Sequence, residues 1–296
     1  MTQGKILLKP GTLWTSVKKQ TEYALECGAL LSIATEFEFV EQDNVRFLVR
    51  ILSNLNRKKA ADEKQKKQSA TSGQEFNPFL PYEEDLFVAD ISDTHVCILN
   101  KFNVVDYHQL IITRGFEEQE SLLTLEDFTA MWVCLADLDG LAFYNSSKTA
   151  GASQRHKHLQ LVPLPLAPSG AQIPIESLLT TKLQDSRVIP GLPFLHAFAP
   201  LDPDWVESPF AAAQATLEVY RTLRQAVGLD PSQSGAYNLL ATREWMLIVP
   251  RSQEHFHSIS VNSLGFAGAL LVRNAAEMEI LKAQGPMTIL KNVAVS

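Results

Sequence analysis

The chain has 296 residues, 46% of them hydrophobic and 20% charged, and carries a formal net charge of -7. That length and apolar content suffice for a substantial core, in one large domain or two smaller ones, and exclude a disordered chain. The acidic balance excludes a general nucleic-acid binder, which carries a basic footprint, although a small polyanion needs only local positive charge.

Cys27, Cys97 and Cys134 form no C-x-x-C pattern, so neither a disulfide framework nor a zinc knuckle is expected. No apolar run approaches the roughly 18 residues of a membrane span, and the start Met1-Thr2-Gln3-Gly4-Lys5 lacks the apolar core of a signal peptide. The expectation is a cytoplasmic protein with no membrane partner.

In chain order, 12–27 reads as a helix with Trp14, Val17 and Leu25 near one face and Gly28 closing it. Residues 37–52 alternate around Asp43-Asn44, a hairpin signal. The segment 57–67 then brings together Arg57, Lys58, Lys59, Lys64, Lys66 and Lys67 against Asp62 and Glu63, with no large apolar residue. A charge run of this kind is ordinarily a solvated loop; its functional reading is a flap over a polyphosphate. Residues 95–101 and 107–113 read as two strands. Thr124 opens a helix with Leu125, Phe128, Trp132 and Leu135 at helical spacing and Gly140 closing it, and 141–144 form a short strand leading to Asn145. This order fits an α+β unit with an antiparallel sheet rather than a doubly wound parallel one. No G-x-G-x-x-G or G-x-x-x-x-G-K-[ST] is present.

Residues 151–163 read Gly-Ala-Ser-Gln-Arg-His-Lys-His-Leu-Gln-Leu-Val-Pro. In a strand, His156, His158, Gln160 and Val162 share one face while Lys157, Leu159 and Leu161 take the other. Gly151, Ser153 and Gln154 stand just upstream, able to supply backbone amides and short polar groups to a phosphate, and Pro163 ends the strand. Taken alone, His-x-His leaves open a zinc ligand pair, a hydrogen-bonded structural pair and a catalytic pair. His95, His108 and His196 lack such a context, and His255-x-His257 repeats the spacing without the glycine and serine, so it reads as structural.

Pro163, Pro165, Pro168 and Pro174 with Ser169-Gly170 mark a connector. Ser208-Pro209 begins a long helix whose stripe of Phe210, Ala213, Leu217, Tyr220 and Leu223 is core, ended by Gly228. Residues 236–241 and 245–249 read as a hairpin across Thr242-Arg243-Glu244, 268–272 as a strand, and 274–283 as a helix capped by Asn274 and ended near Gly285. The organisation expected is a catalytic region 1–168, a connector 169–190 and a C-terminal region 191–296.

Asn145, then Gly151, Ser153, His156, His158, Gln160 and Pro163, keep the spacing of the histidine-triad superfamily, and a third-place glutamine resembles its nucleotidyl-transferring branch. Gly-Ala-Ser-Gln-x-His-x-His-x-Gln resembles the diadenosine tetraphosphate phosphorylases, also called ATP adenylyltransferases. Asn100 to Val104 with His108 to Thr113, and Tyr237 to Leu240 with Thr242 and Trp245 to Arg251, are similar to further segments of that family, whereas the first 30 residues and 173–190 match less clearly.

The resemblance implies a histidine-triad-like antiparallel sheet flanked by helices, with further strands and helices from the C-terminal half. It implies reversible phosphorolysis of diadenosine tetraphosphate by phosphate to ATP and ADP, with His158 as the nucleophile that becomes adenylylated. His156 would orient or donate to a phosphoryl oxygen, and Gln160 would donate its non-titrating amide to another. Asn100, Lys101, Asn145, Gly151, Ala152, Ser153, Gln154, Asn238, Thr242 and Arg251 would contact substrate, with Lys58 the lysine expected from the basic segment. No tightly bound cofactor or protein-held metal is implied; Mg2+ or Mn2+ would arrive with the nucleotide, because hard cations prefer phosphate oxygens to imidazoles. A monomer or homodimer is expected. One alternative is a uridylyltransferase acting on hexose 1-phosphates, whose prolines within the motif and cysteine pair are missing here. The other is a nucleotide-binding regulatory module, which has no need of the intact His158.

Overall fold

The computed structural model describes residues 5–52, 76–179 and 187–296, so Lys58, the whole basic segment 57–67 and part of the expected connector lie outside the described residues. β1 (Thr35–Gln42) and β2 (Val45–Leu52) pair antiparallel about Asp43 and Asn44, both at positive φ (50° and 64°), the backbone that a two-residue hairpin of matching twist requires. β3 (Phe87–Asp90), β4 (His95–Leu99), β5 (Gln109–Thr113), β6 (Gly140–Asn145), β7 (His158–Pro163), β8 (Ala197–Pro200), β9 (Tyr237–Ala241) and β10 (Trp245–Pro250) form an eight-stranded sheet. Its order is β3-β4-β5-β7-β6-β9-β10-β8, and every pairing in it is antiparallel. After the small hairpin β11 (His255–Phe256) and β12 (Ile259–Ser260), β13 (Ala269–Val272) lies parallel to β2 in a separate three-stranded sheet.

The junction β6–β9 sets Asn145 opposite Asn238, so the N-terminal and C-terminal parts of the chain share one sheet. One face of that sheet, carrying Cys97, Ile111, Tyr144, Leu159 and Leu161, is covered by the helices Leu13–Glu26, Leu125–Asp137 and Pro209–Ala226. The other face carries two apolar clusters. Phe79 covers Val96, Ile98, Leu110 and Ile112 on β4 and β5, while Val45, Phe47 and Val49 of β2 cover Leu141, Phe143, Val162, Leu240 and Leu247. The boundary between these clusters falls on β7, at His158 and Gln160.

Several expectations are corrected. In the first helix Leu13, Val17, Thr21 and Ala24 are buried, whereas Leu25 is half exposed, because the inward stripe follows i, i+4, i+8 and i+11. Gly140 starts β6 rather than closing the preceding helix, which ends at Asp137; a Cβ there would stand 2.7 Å from the Val162 carbonyl oxygen, so β6 and β7 approach too closely for a side chain. β4 ends at Leu99 and β5 starts at Gln109, since Tyr107 at φ 57° belongs to the turn between them. β3 and β8 carry no alternation that marks them in the sequence, and the last helix, Pro286–Val293, has no side-chain cap and is marked at its start only by Pro286.

Candidate active site

Alternation places the polar row as the sequence implies, although β7 itself begins at His158 and His156 makes only an isolated bridge to Glu118. Both rings lie edge-on to Phe79, at centroid distances of 5.7 and 5.2 Å. Lys157, on the opposite face and only 1% exposed, reaches Asp127 at 2.6 Å and Glu117 at 3.2 Å. Burial raises the Asp127 carboxyl, but His95 and Lys157 outweigh it and bring the group down to about 2, so the pair is ionised at neutral pH. Gln119 accepts from the His158 N–H at 2.8 Å and donates to the Asn145 carbonyl at 2.8 Å, tying β6 to the start of β7.

The ring nitrogens distinguish the histidines. His156 Nε2 meets the Thr113 carbonyl oxygen at 2.8 Å, which can only accept, so the proton is on Nε2 and Nδ1 accepts from the Asn77 amide at 2.9 Å. His108 is held at both ends, by Asn100 at 3.1 Å and by Gln160 at 3.0 Å. His158 donates from Nδ1 to the His156 carbonyl oxygen at 2.8 Å. Its Nε2 has no partner among the described residues and carries the lone pair. Burial holds the His158 ring down at about 4, against the raising effect of that backbone bond, so it is neutral at pH 7.

Two carboxamides lie on the same sheet face. Gln160 gives its oxygen to His108, leaving its NH2 unbonded among the described residues. Asn145, on β6 beside His158, gives Oδ1 to Asn238 Nδ2 at 2.8 Å and to the Ser263 N–H and Oγ at 3.0 and 2.7 Å. Its NH2 is likewise unbonded among the described residues. Arg251 fixes Asn238 in turn, donating to Asn238 Oδ1 at 2.6 Å and to the carbonyls of Ala150, Val261, Gln253, Glu254 and Val293.

The upstream loop is built to be tight. Gly151 has φ 91°, and a Cβ there would lie 3.0 Å from both Asn262 Cβ and the Val261 carbonyl oxygen. The N–H groups of Gly151 and Ala152 are used within the loop, on Lys148 and Ser147. Those of Ser153 and Gln154, with their side chains, have no hydrogen bond among the described residues and remain available as donors.

The structure therefore gathers His156, His158, Gln160, Asn145 and the 151–154 loop. It puts Asn238 and Arg251 one layer behind Asn145, and Asn100 behind His108. Lys101 is paired with Glu83 at 2.5 Å on the surface. Thr242 is not brought to this place: it accepts from the N–H groups of Glu244 and Trp245 in the turn after β9, at the sheet end away from Asn145, four residues or about 13 Å along the strand. The sequence reading missed His108, Asn77, Thr113 and Gln119. For His108 a signal existed, since it has the parity of Leu110 and Ile112 and so the face of Gln160; Thr113 ends β5 and acts through its backbone carbonyl, which no side-chain pattern marks, and Asn77 and Gln119 come from loops with no period. Beside the turn 100–108 lies a cavity of about 320 Å³ lined by Ser32, Thr35, Asn103, Asp106 and Arg50, whose guanidinium makes two long hydrogen bonds among the described residues, 3.4 and 3.5 Å. Among the described residues no three His, Cys, Asp or Glu side chains are grouped to hold a metal, and no helix is long and apolar enough to cross a membrane.

Residues 3–181 match the Ap4A phosphorylase N-terminal domain and 190–296 the ATP adenylyltransferase C-terminal domain. The diadenosine 5',5'''-P1,P4-tetraphosphate phosphorylase 2 of Saccharomyces cerevisiae is 30% identical over 237 residues, covering 69% of this chain and 71% of that protein. Protein APA1 of the same yeast is 29% identical over 199 residues, 60% of this chain and 61% of that one. The crystal structure of yeast Ap4A phosphorylase Apa2 superposes with a TM-score of 0.78 at 22% identity, over 97% of this chain and 98% of that one; the Apa2 complex with Ap4A gives a TM-score of 0.71 over the same shares.

Proposed function

The chain belongs to the Ap4A phosphorylase and ATP adenylyltransferase family, and from that premise we propose how its own residues transfer an adenylyl group. It is a nucleotidyltransferase acting on diadenosine tetraphosphate by phosphorolysis. One observation carries the reading: of the three buried imidazoles of this face, His158 alone keeps a ring nitrogen with no partner among the described residues, and that ring is neutral at pH 7.

The Nε2 lone pair of His158 attacks the α-phosphorus of one adenosine moiety, the bond to the bridging oxygen breaks, and ATP leaves. The proton stays on Nδ1, donated to the His156 carbonyl oxygen, so the adenylylated ring is an imidazolium whose positive charge offsets the phosphate. Inorganic phosphate, already a nucleophile, then attacks the same phosphorus; the P–N bond breaks, ADP departs and neutral His158 is restored. The amide groups of Gln160 and Asn145 are suited to the equatorial oxygens, donating without a proton to lose. The free donors of Ser153 and Gln154 suit the departing phosphates. His156, with both nitrogens engaged, orients the row rather than donating to substrate. Absence of a third titrating side chain at position 160 disfavours activating water, which competes with phosphate for the intermediate. A divalent cation would enter on the polyphosphate of the nucleotide.

The test is direct. Incubation with labelled diadenosine tetraphosphate leaves an acid-labile, alkali-stable label on the protein, and His158→Ala lowers turnover by about four orders of magnitude. Phosphate carrying heavy oxygen delivers it to the β-phosphate of ADP. Undiminished label in His158→Ala, or AMP and ATP formed at a comparable rate without phosphate, defeats this reading.

A further inference from the structure

We propose that the turn between β4 and β5 decides which end of the Gln160 amide faces the phosphate, through a hydrogen-bond chain of fixed polarity running from the backbone N–H of Phe102 through Asn100 and His108. A backbone N–H can only donate, and that of Phe102 lies 3.3 Å from Asn100 Oδ1. The other end of the Asn100 amide is therefore NH2, and it donates to His108 Nδ1 at 3.1 Å. With Nδ1 accepting, the ring proton is on Nε2, which donates to Gln160 Oε1 at 3.0 Å. Gln160 is left presenting two N–H groups. Nothing else among the described residues tells the two ends of that amide apart.

The oxygen and nitrogen ends of a carboxamide are nearly the same size, so packing alone selects neither. Rotation by half a turn would set a carbonyl oxygen against the phosphoryl oxygens and turn an attraction into a repulsion. His108 is well suited to prevent this. It is 6% exposed, its ring packs against Phe143 at a centroid distance of 5.7 Å, and the turn that carries it is closed by the Asn100 N–H donating to the His108 carbonyl at 2.9 Å. His108 and Asn100 are thus positioning residues that act through Gln160. The inference rests on the reading of Gln160 as a donor to the transferred phosphoryl group.

The test is a double-mutant cycle on the single-turnover rate of His158 adenylylation, with diadenosine tetraphosphate and no phosphate. His108→Phe is expected to slow that step about 10- to 100-fold while the half-saturating substrate concentration changes less than about threefold. His108→Gln, whose amide can accept from Asn100 and donate to Gln160, should regain a rate within about fivefold of the parent. In a Gln160→Met background, His108→Phe should cost less than about twofold, because the group it orients is gone. Nitrogen-15 spectra of the histidine-labelled parent should show His108 protonated at Nε2, a measurement that needs no variant to fold. Equal losses in both backgrounds, or a ring protonated at Nδ1, overturn the proposal. If Gln160→Met leaves the rate unchanged, the donor reading of Gln160 fails and the chain falls with it; a normal Gln160→Met loss beside a harmless His108→Phe removes the chain alone.

Discussion

Asn145 takes its orientation from a charged, multiply bonded anchor in the C-terminal half, whereas Gln160 takes its orientation from a single file of neutral groups in the β4–β5 turn. Arg251 has donors only, so it fixes Asn238, and Asn238 fixes Asn145, whose oxygen receives three hydrogen bonds. Burial lowers the Arg251 guanidinium to about 10, still charged at neutral pH, so nothing in the ordinary range reverses this chain. The other has one bond per link and a titratable member, His108, which burial brings down to about 4. The difference teaches that an amide donor can be oriented with or without charge, and that the two devices should fail differently.

The largest effect is expected at Arg251. Its loss in Arg251→Met strands Asn238 Oδ1 and several buried carbonyls at once, at about 1–3 kcal/mol for each buried group left unpaired, so destabilisation of at least about 3 kcal/mol is expected in chemical denaturation. A variant as stable as the parent would break the comparison. Asn145→Asp keeps the oxygen that Asn238 and Ser263 bind but places an anionic oxygen where the NH2 stood. Its adenylylation rate should fall about 100- to 1,000-fold with the fold intact, read by single-turnover kinetics beside circular dichroism.

The neutral chain should show itself in acid. His108 and His158 bind protons in the fold only near pH 4, but near 6.5 when unfolded, so the stability they confer is full above the ordinary value and is lost as pH falls from about 6.5 towards 4. Each contributes up to about 1.4 kcal/mol per pH unit there. His108→Phe should therefore flatten the pH dependence of unfolding across that window, and an unchanged slope would contradict the buried neutral ring. The smallest effect is expected at Lys101, whose exposed pairing with Glu83 is the surface kind: Lys101→Met should change kcat/KM by no more than about twofold. A large loss would show that the lysine leaves Glu83 for the substrate.

Sequence alone determined the parity of the row, because in extended backbone side chains alternate whatever surrounds them. His156 and His158 therefore share a side, with Lys157 opposite, even though β7 begins only at His158. The Asp43-Asn44 hairpin, the Thr124 cap and the Pro209–Ala226 helix were legible for the same reason: each is decided by groups within a few residues. Tertiary structure decided how the ring nitrogens of His108 and His156 are engaged and which amide end faces outward. Those properties belong to donor and acceptor pairs, and the partners come from far along the chain: His108 is 52 residues from Gln160, Asn77 is 79 from His156 and Asn238 is 93 from Asn145. Local spacing carries no record of such pairings, since the polarity of a hydrogen bond is fixed only when both partners are in place.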